Sequence, residues 1–181
     1  MSLALPRSVH SRRRAETLRA LRKFLVADRP VPRRIRVTDA EIVRAAPSYL
    51  RVGERFRRGG LAEALPAMPA LPPDRDPRAG ESEEVVFAAR SAAWRLHGLG
   101  RTLTGTPLCL HESLALCAGL RVLGFQAHVA IGYPVIEKLD DPDELHAWTV
   151  IGERAITDQA DAGRPMQFAE LLRLPRTVGA P

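Results

Sequence analysis

Apolar residues recur along the chain with two different periods, and the change of period divides it. Leu18, Leu21, Phe24 and Leu25 fall at helical spacing in a basic amphipathic segment that starts near Arg13 and ends near Asp28, before Pro30 and Pro32. Thr38-Asp39-Ala40-Glu41 fits a capping box, a hydroxyl at the N-cap with a glutamate three residues on, and opens a second helix through Ile42 and Val43 to Pro47. A further helical piece is expected over 48–57, stopped by Gly59-Gly60. Pro66, Pro69, Pro72, Pro73 and Pro77 then crowd the stretch from Leu65 to Ala79, which neither a helix nor a central strand tolerates; it reads as an ordered or mobile linker.

The second half changes character. Ser82-Glu83-Glu84 caps a helix through Val86, Phe87, Trp94 and Leu96 to Gly98. A glycine-broken loop leads to Pro107, and another helix spans Cys109 to Leu123, ended by Gly124 at a position typical of a helix C-terminal glycine. Phe125, Ala127, Val129, Ile131 and Tyr133 alternate with the residues between them, the period of a strand. A second strand is expected over 145–151, turning at Gly152-Glu153 into a third over 154–158, and a short helix around Phe168 to Leu172. Helices come first and strands follow on short turns, so the expected class is α+β with a small, largely antiparallel sheet. The organisation expected is a helical, proline-rich extension over 1–80 and a catalytic domain over 81–181.

Composition narrows the setting. Of 27 basic residues only Lys23 and Lys138 are lysine, so the net charge of +6 rests on arginine spread through an Ala- and Pro-rich chain. With aromatics at 5% there is little to stack bases on, and no nucleic-acid partner is expected. The longest apolar runs fall short of a transmembrane span, and the basic N-terminus lacks the apolar block of a signal peptide. The two cysteines, Cys109 and Cys117, lie two helical turns apart, about 12 Å, beyond the reach of a disulfide. Two free thiols point to a reducing, cytoplasmic setting.

One thiol has a special place. Cys109 starts a helix, where unpaired backbone N–H groups stabilise a thiolate and stand ready to bind an oxyanion. Cys117 lies mid-helix on the apolar face and reads as core. Among the five histidines, His10 sits in the tail, His97 ends a helix, and His111 is about 200° around the helix from Cys109. His128 reads as a surface residue of its strand, whereas His146 opens a strand beside a loop, where catalytic groups tend to sit. Asp158 is a candidate to hold that imidazole. A three-residue loop centred on Gly152 sets His146 opposite Asp158; a strict two-residue turn sets it opposite Gln159 and points Asp158 away. The catalytic register needs the wider loop or a bulge. A zinc site on Cys109, His128 and His146 has no paired-ligand spacing behind it.

Four segments carry a resemblance: Cys-Leu-His-Glu-Ser-Leu-Ala-Leu at 109–116, Gly-Phe-Gln-Ala-His-Val-Ala-Ile-Gly at 124–132, His-Ala-Trp-Thr-Val at 146–150 and Thr-Asp at 157–158. In order and spacing they resemble the transglutaminase-like, papain-related core of lasso-peptide leader peptidases, over about residues 85–160. The resemblance implies a cysteine protease with Cys109 as nucleophile, His146 as base and Asp158 as orienting residue, with no metal or cofactor. It implies removal of the leader from a ribosomally made precursor, before a separate ATP-dependent cyclase ties the product. Residues 1–80 lack the strands of the winged-helix domain that some such proteases use to grip the leader, so a separate leader-binding protein is the expected partner. The chain departs from the family at His111, where arginine is frequent, and in the five acidic residues of 137–144. Two alternatives stand beside this one: another acyl-transfer enzyme of the same type (protease, amidase or transglutaminase), and a non-catalytic module binding peptide through its arginines.

Overall fold

The Thr38 capping box forms as expected: Glu41 N–H donates to Thr38 Oγ1 (3.3 Å) and Thr38 N–H to the Glu41 carboxylate (2.8 Å). This computed structural model describes residues 31–104, 109–134, 145–157 and 168–174. The basic segment at 13–25, the acidic loop at 137–144 and Asp158 fall outside the described residues.

From the Thr38 cap, helix α1 runs Asp39–Ala64. It does not stop at Pro47. That proline is on the exposed side, one turn from the exposed Val43, where water can take the Val43 carbonyl deprived of its N–H partner. Nor does Gly59-Gly60 end it; those two residues leave helical geometry (φ −144° and 63°) and kink it. A 3₁₀ turn, Leu65–Ala67, leads into the proline stretch, which is pinned by turns and by Arg78. The Arg78 guanidinium donates to the carbonyls of Ile35 (3.2 Å), Arg36 (2.8 Å) and Leu123 (2.8 Å) and to Glu41 (2.8 Å).

Helix α2, Glu83–Thr104, continues past Gly98, where a break was expected. Helix α3, Cys109–Val122, is buried on nearly every side. It ends in a Schellman motif, with Phe125 N–H bonded to Leu120 O (3.0 Å), Gly124 N–H to Arg121 O (3.0 Å), and Gly124 at φ 91°.

Strands β1 (Ala127–Pro134), β2 (His146–Ile151), β3 (Arg154–Ala155) and β4 (Phe168–Leu174) form one antiparallel sheet in the order β3-β2-β1-β4. Strand β4 replaces the helix expected around 168–172. Phe-Ala-Glu-Leu-Leu-Arg-Leu suits either period, and pairing with β1 decides for the strand; a bulge opposite Ile131/Gly132 absorbs the mismatch. The core lies between α3 and the sheet and between α3 and the other helices, built from Val52, Leu96, Leu114, Leu116, Leu120, Phe125, Val129 and Ile151. Helix α1 packs more extensively on α3 than on any other element, so Asp39–Ala64 share the core that carries the sheet.

Candidate active site

Cys109 is the first residue of α3 and is partly buried. The turn it begins has the unpaired N–H groups of a helix N-terminus and their partial positive charge. What fixes that turn in space is a row of polar side chains further along the helix. One turn on, buried Ser113 donates through Oγ to Ala147 O (3.0 Å), while Thr149 Oγ1 donates to Ser113 O (3.2 Å). Beyond it, Cys117 Sγ (3.2 Å) and Arg121 Nε (2.8 Å) both donate to Ala127 O. Ala127 pairs with Ile151, so α3 runs alongside β2 in the same direction. Stepping back four residues from Ser113 moves about 6 Å along the helix, about two residues of strand. Cys109 therefore stands level with the start of β2.

His146 is that start. Its ring stacks on Trp148, with centroids 6.3 Å apart and 13° between planes. Ala147, Thr149 and Ile151 face α3; His146, Trp148 and Val150 take the other face of the sheet, Trp148 and Val150 clustering there with Ala130. Gly132, paired with His146, makes room for this arrangement. A Cβ there would lie 2.1 Å from Ala169 O and 3.0 Å from Trp148 Cη2.

The structure thus sets the backbones of Cys109 and His146 level with one another at one end of the α3–β2 contact, with the His146 side chain on the sheet face away from α3. Of the two hairpins left open by the sequence, the structure has the two-residue turn at Gly152-Glu153, with Ile151 opposite Arg154, Val150 opposite Ala155 and Gly152 at φ 53°. The ladder then loses regularity. Ile156 N–H still donates to Thr149 O (2.8 Å), but Thr149 N–H goes to the Thr157 hydroxyl (3.0 Å) instead of a backbone carbonyl. Strand β3 is two residues long as a result, and the regular register that would turn Asp158 away from His146 ends before Asp158, itself outside the described residues.

The other candidates separate clearly. His111 points to α1, stacking on Phe56 (5.8 Å, 24°) over Gly53; burial, with the nearby Arg57 charge, pushes its pKa down. Cys117 is fully buried and burial pushes its thiol up to about 11, as suits a core residue. His128 faces Val150 across the β1–β2 ladder; the Glu170 carboxyl is held below its usual range first by its hydrogen bond to Arg173, with His128 a minor contributor. Gln126 lies past the far end of α3, with its amide on Asp74. Among the described residues no group of three or more His, Cys, Asp or Glu is arranged to hold a metal ion. No described helix is long and apolar enough to cross a membrane.

Two contacts near the site were not read from the sequence. Ser113 carried a usable signal, a polar residue at i+4 from the nucleophile on an otherwise apolar helix. The bond between His97 Nδ1 on α2 and the Glu112 carboxylate on the first turn of α3 joins residues 15 apart and carried none.

The chain matches the transglutaminase-like superfamily over residues 3–173. It belongs to that superfamily. The match reaches well beyond residues 85–160, to which the resemblance is confined, and takes in α1 and α2. The fold is accordingly a transglutaminase-like α+β domain, a core that serves cysteine proteases and acyl transferases. No curated protein and no solved structure matches the chain.

Proposed function

We propose that the protein is a cysteine peptidase that removes the leader from a ribosomally made precursor during lasso-peptide maturation. The observation that carries the catalytic reading is the Ser113–Ala147 hydrogen bond, which registers α3 on β2 so that Cys109 and His146 share one end of the contact. The thiol loses its proton to His146, and the thiolate attacks the carbonyl carbon at the leader–core junction. The first-turn N–H groups of α3 receive the developing oxyanion. As the C–N bond breaks, His146 returns the proton to the departing amine, and water then hydrolyses the thioester. Asp158 holds the imidazole in the donor–acceptor tautomer this requires. The reaction asks the imidazole and thiol to meet across the start of β2, and it uses no metal or cofactor. A separate leader-binding protein presents the precursor, and the ATP-dependent cyclase acts on the freed core. The setting is the cytoplasm.

The test combines purified protein, precursor peptide and leader-binding partner, with products followed by mass spectrometry. Wild type is expected to release an intact leader, and Cys109→Ala none. Equal cleavage by both would refute the nucleophile. Incorporation of a supplied amine into glutamine side chains, without leader release, would assign the same site to a transglutaminase.

A further inference from the structure

We infer that His97 and Glu112 are positioning residues that set the reactivity of Cys109. The inference rests on Cys109 being the nucleophile of the proposed reaction. Glu112 follows Cys109 by three residues, so the two side chains are neighbours on the first turn of α3. A carboxylate there competes with a thiolate for the same partial positive charge and repels it. In the structure that carboxylate is held by α2: His97 Nδ1 hydrogen-bonds to Glu112 Oε1, and the two side chains are only 27% and 17% exposed.

The charge state of the pair follows from its surroundings. Burial, and then the charge of Arg101 one turn along α2, lower the His97 pKa. A neutral imidazole donates its Nδ1–H to the carboxylate and leaves the negative charge on Glu112, drawn toward α2 and away from the thiol. The charged and titratable groups around this turn are His97 and Arg101 from α2 and His111 on α3 itself, with Glu54 and Arg57 of α1 facing His111; His146 opens β2 on the sheet face away from α3.

Two variants that break the same bond should therefore act in opposite directions. His97→Ala frees the carboxylate to act on the thiol, whereas Glu112→Gln removes the negative charge. The measurement is the iodoacetamide alkylation rate of Cys109 against pH, read by mass spectrometry of its peptide, with buried Cys117 as the unreactive internal reference. Glu112→Gln should lower the pH of half-maximal rate by about half to two pH units, as for loss of a unit charge about 6 Å away, and His97→Ala should raise it by less, because the carboxylate charge is already present in wild type. The double variant should follow Glu112→Gln, and His97→Gln, which keeps a donor, should stay near wild type.

A bond that merely braces the fold would move both single variants the same way. That result, or no movement in either, overturns the inference. Should His97→Ala fail to fold, Glu112→Gln decides alone, because only the electrostatic role makes Cys109 react faster at neutral pH when the bond is weakened. The nucleophile reading fails separately if Cys109→Ala still releases the leader, and the inference falls with it.

Discussion

Gly132→Ala is the sharpest test of how the sheet supports the site. The added Cβ would lie 2.1 Å from Ala169 O and 2.8 Å from Ala169 C, both backbone atoms of β4, and 3.0 Å from Trp148 Cη2. Ordinary contact needs roughly 3.5 Å, so β4 must part from β1 by more than about 1 Å, or the Trp148 face must give. Overpacking of this kind costs about 1–3 kcal/mol. Losing a ladder hydrogen bond where Gly132 pairs with Glu170 adds about 1 kcal/mol. A total of about 2–4 kcal/mol corresponds to a fall in Tm of about 5–15 °C for a chain of this size. The damage also reaches the chemistry, because the indole pushed by the new methyl is the one on which His146 stacks. Misplacing a reacting group by about 1 Å costs up to about a hundredfold in rate. Calorimetry and the leader-release assay, run on the same preparation, check both halves. A Gly132→Ala protein that melts within about 2 °C of wild type would refute the packing argument.

Three further substitutions test other parts of the structure. Gly98→Ala, in the exposed middle of α2 where a new Cβ meets nothing within 4 Å, should raise Tm by about 1–4 °C through higher helix propensity; a fall would show that Gly98 has a packing role. Glu41 is held down to about 2, first by its hydrogen bond to Arg78, so its contribution is present above the ordinary carboxylate pKa near 4.5 and is lost as pH falls toward 2. Glu41→Gln, discounted for the part of the carboxylate that meets water, should cost about 1–2 kcal/mol at pH 7 in urea unfolding, and the gap from wild type should narrow as the pH is lowered; a gap constant with pH refutes the ionic account. Thr157→Val strands the Thr149 N–H at a cost of about 1–3 kcal/mol, while Thr157→Ser should stay close to wild type; equal stability of the two would mean the hydroxyl is not needed.

What the sequence made legible was local. The Thr38 box, the Gly124 terminus, and the starts of α3 and β2 depend on residues within a few positions of one another, and each forms where expected. The misreadings occur where distant partners decide. Proline and glycine look like stops, yet α1 passes Pro47 and kinks through Gly59-Gly60, and α2 passes Gly98. A helix buried along one side has enough packing to carry a breaker on its exposed side. The residues from Phe168 to Leu174 suit helix or strand about equally, and only the open edge of β1 makes them a strand. The turn at Gly152 was readable in its chemistry but not its length, because a glycine at positive φ fits more than one hairpin.

The candidate site is legible in the same uneven way. Cys109 and His146 stand out by type and place, but nothing linear says that they share an end of the molecule. That relation comes from Ser113, Cys117 and Arg121, a row at i, i+4 and i+8 on a helix otherwise filled with leucine and alanine. Burying three polar side chains is unfavourable unless they are partnered; Ser113 Oγ, Cys117 Sγ and Arg121 Nε each donate, to Ala147 O or Ala127 O, while Arg121 Nη2 is left without a partner. Apolar packing alone tolerates small slides of helix over sheet, whereas hydrogen bonds of fixed length and direction do not. The row therefore fixes the position of α3 along β2, and Thr149, bonded to Ser113 on one side and to Thr157 on the other, passes that register on to the end of the hairpin. Cys109 is the next residue of the same row, one turn beyond Ser113. The polar interruptions of the most buried helix are thus what deliver its N-terminal thiol to the end of the strand that begins with His146.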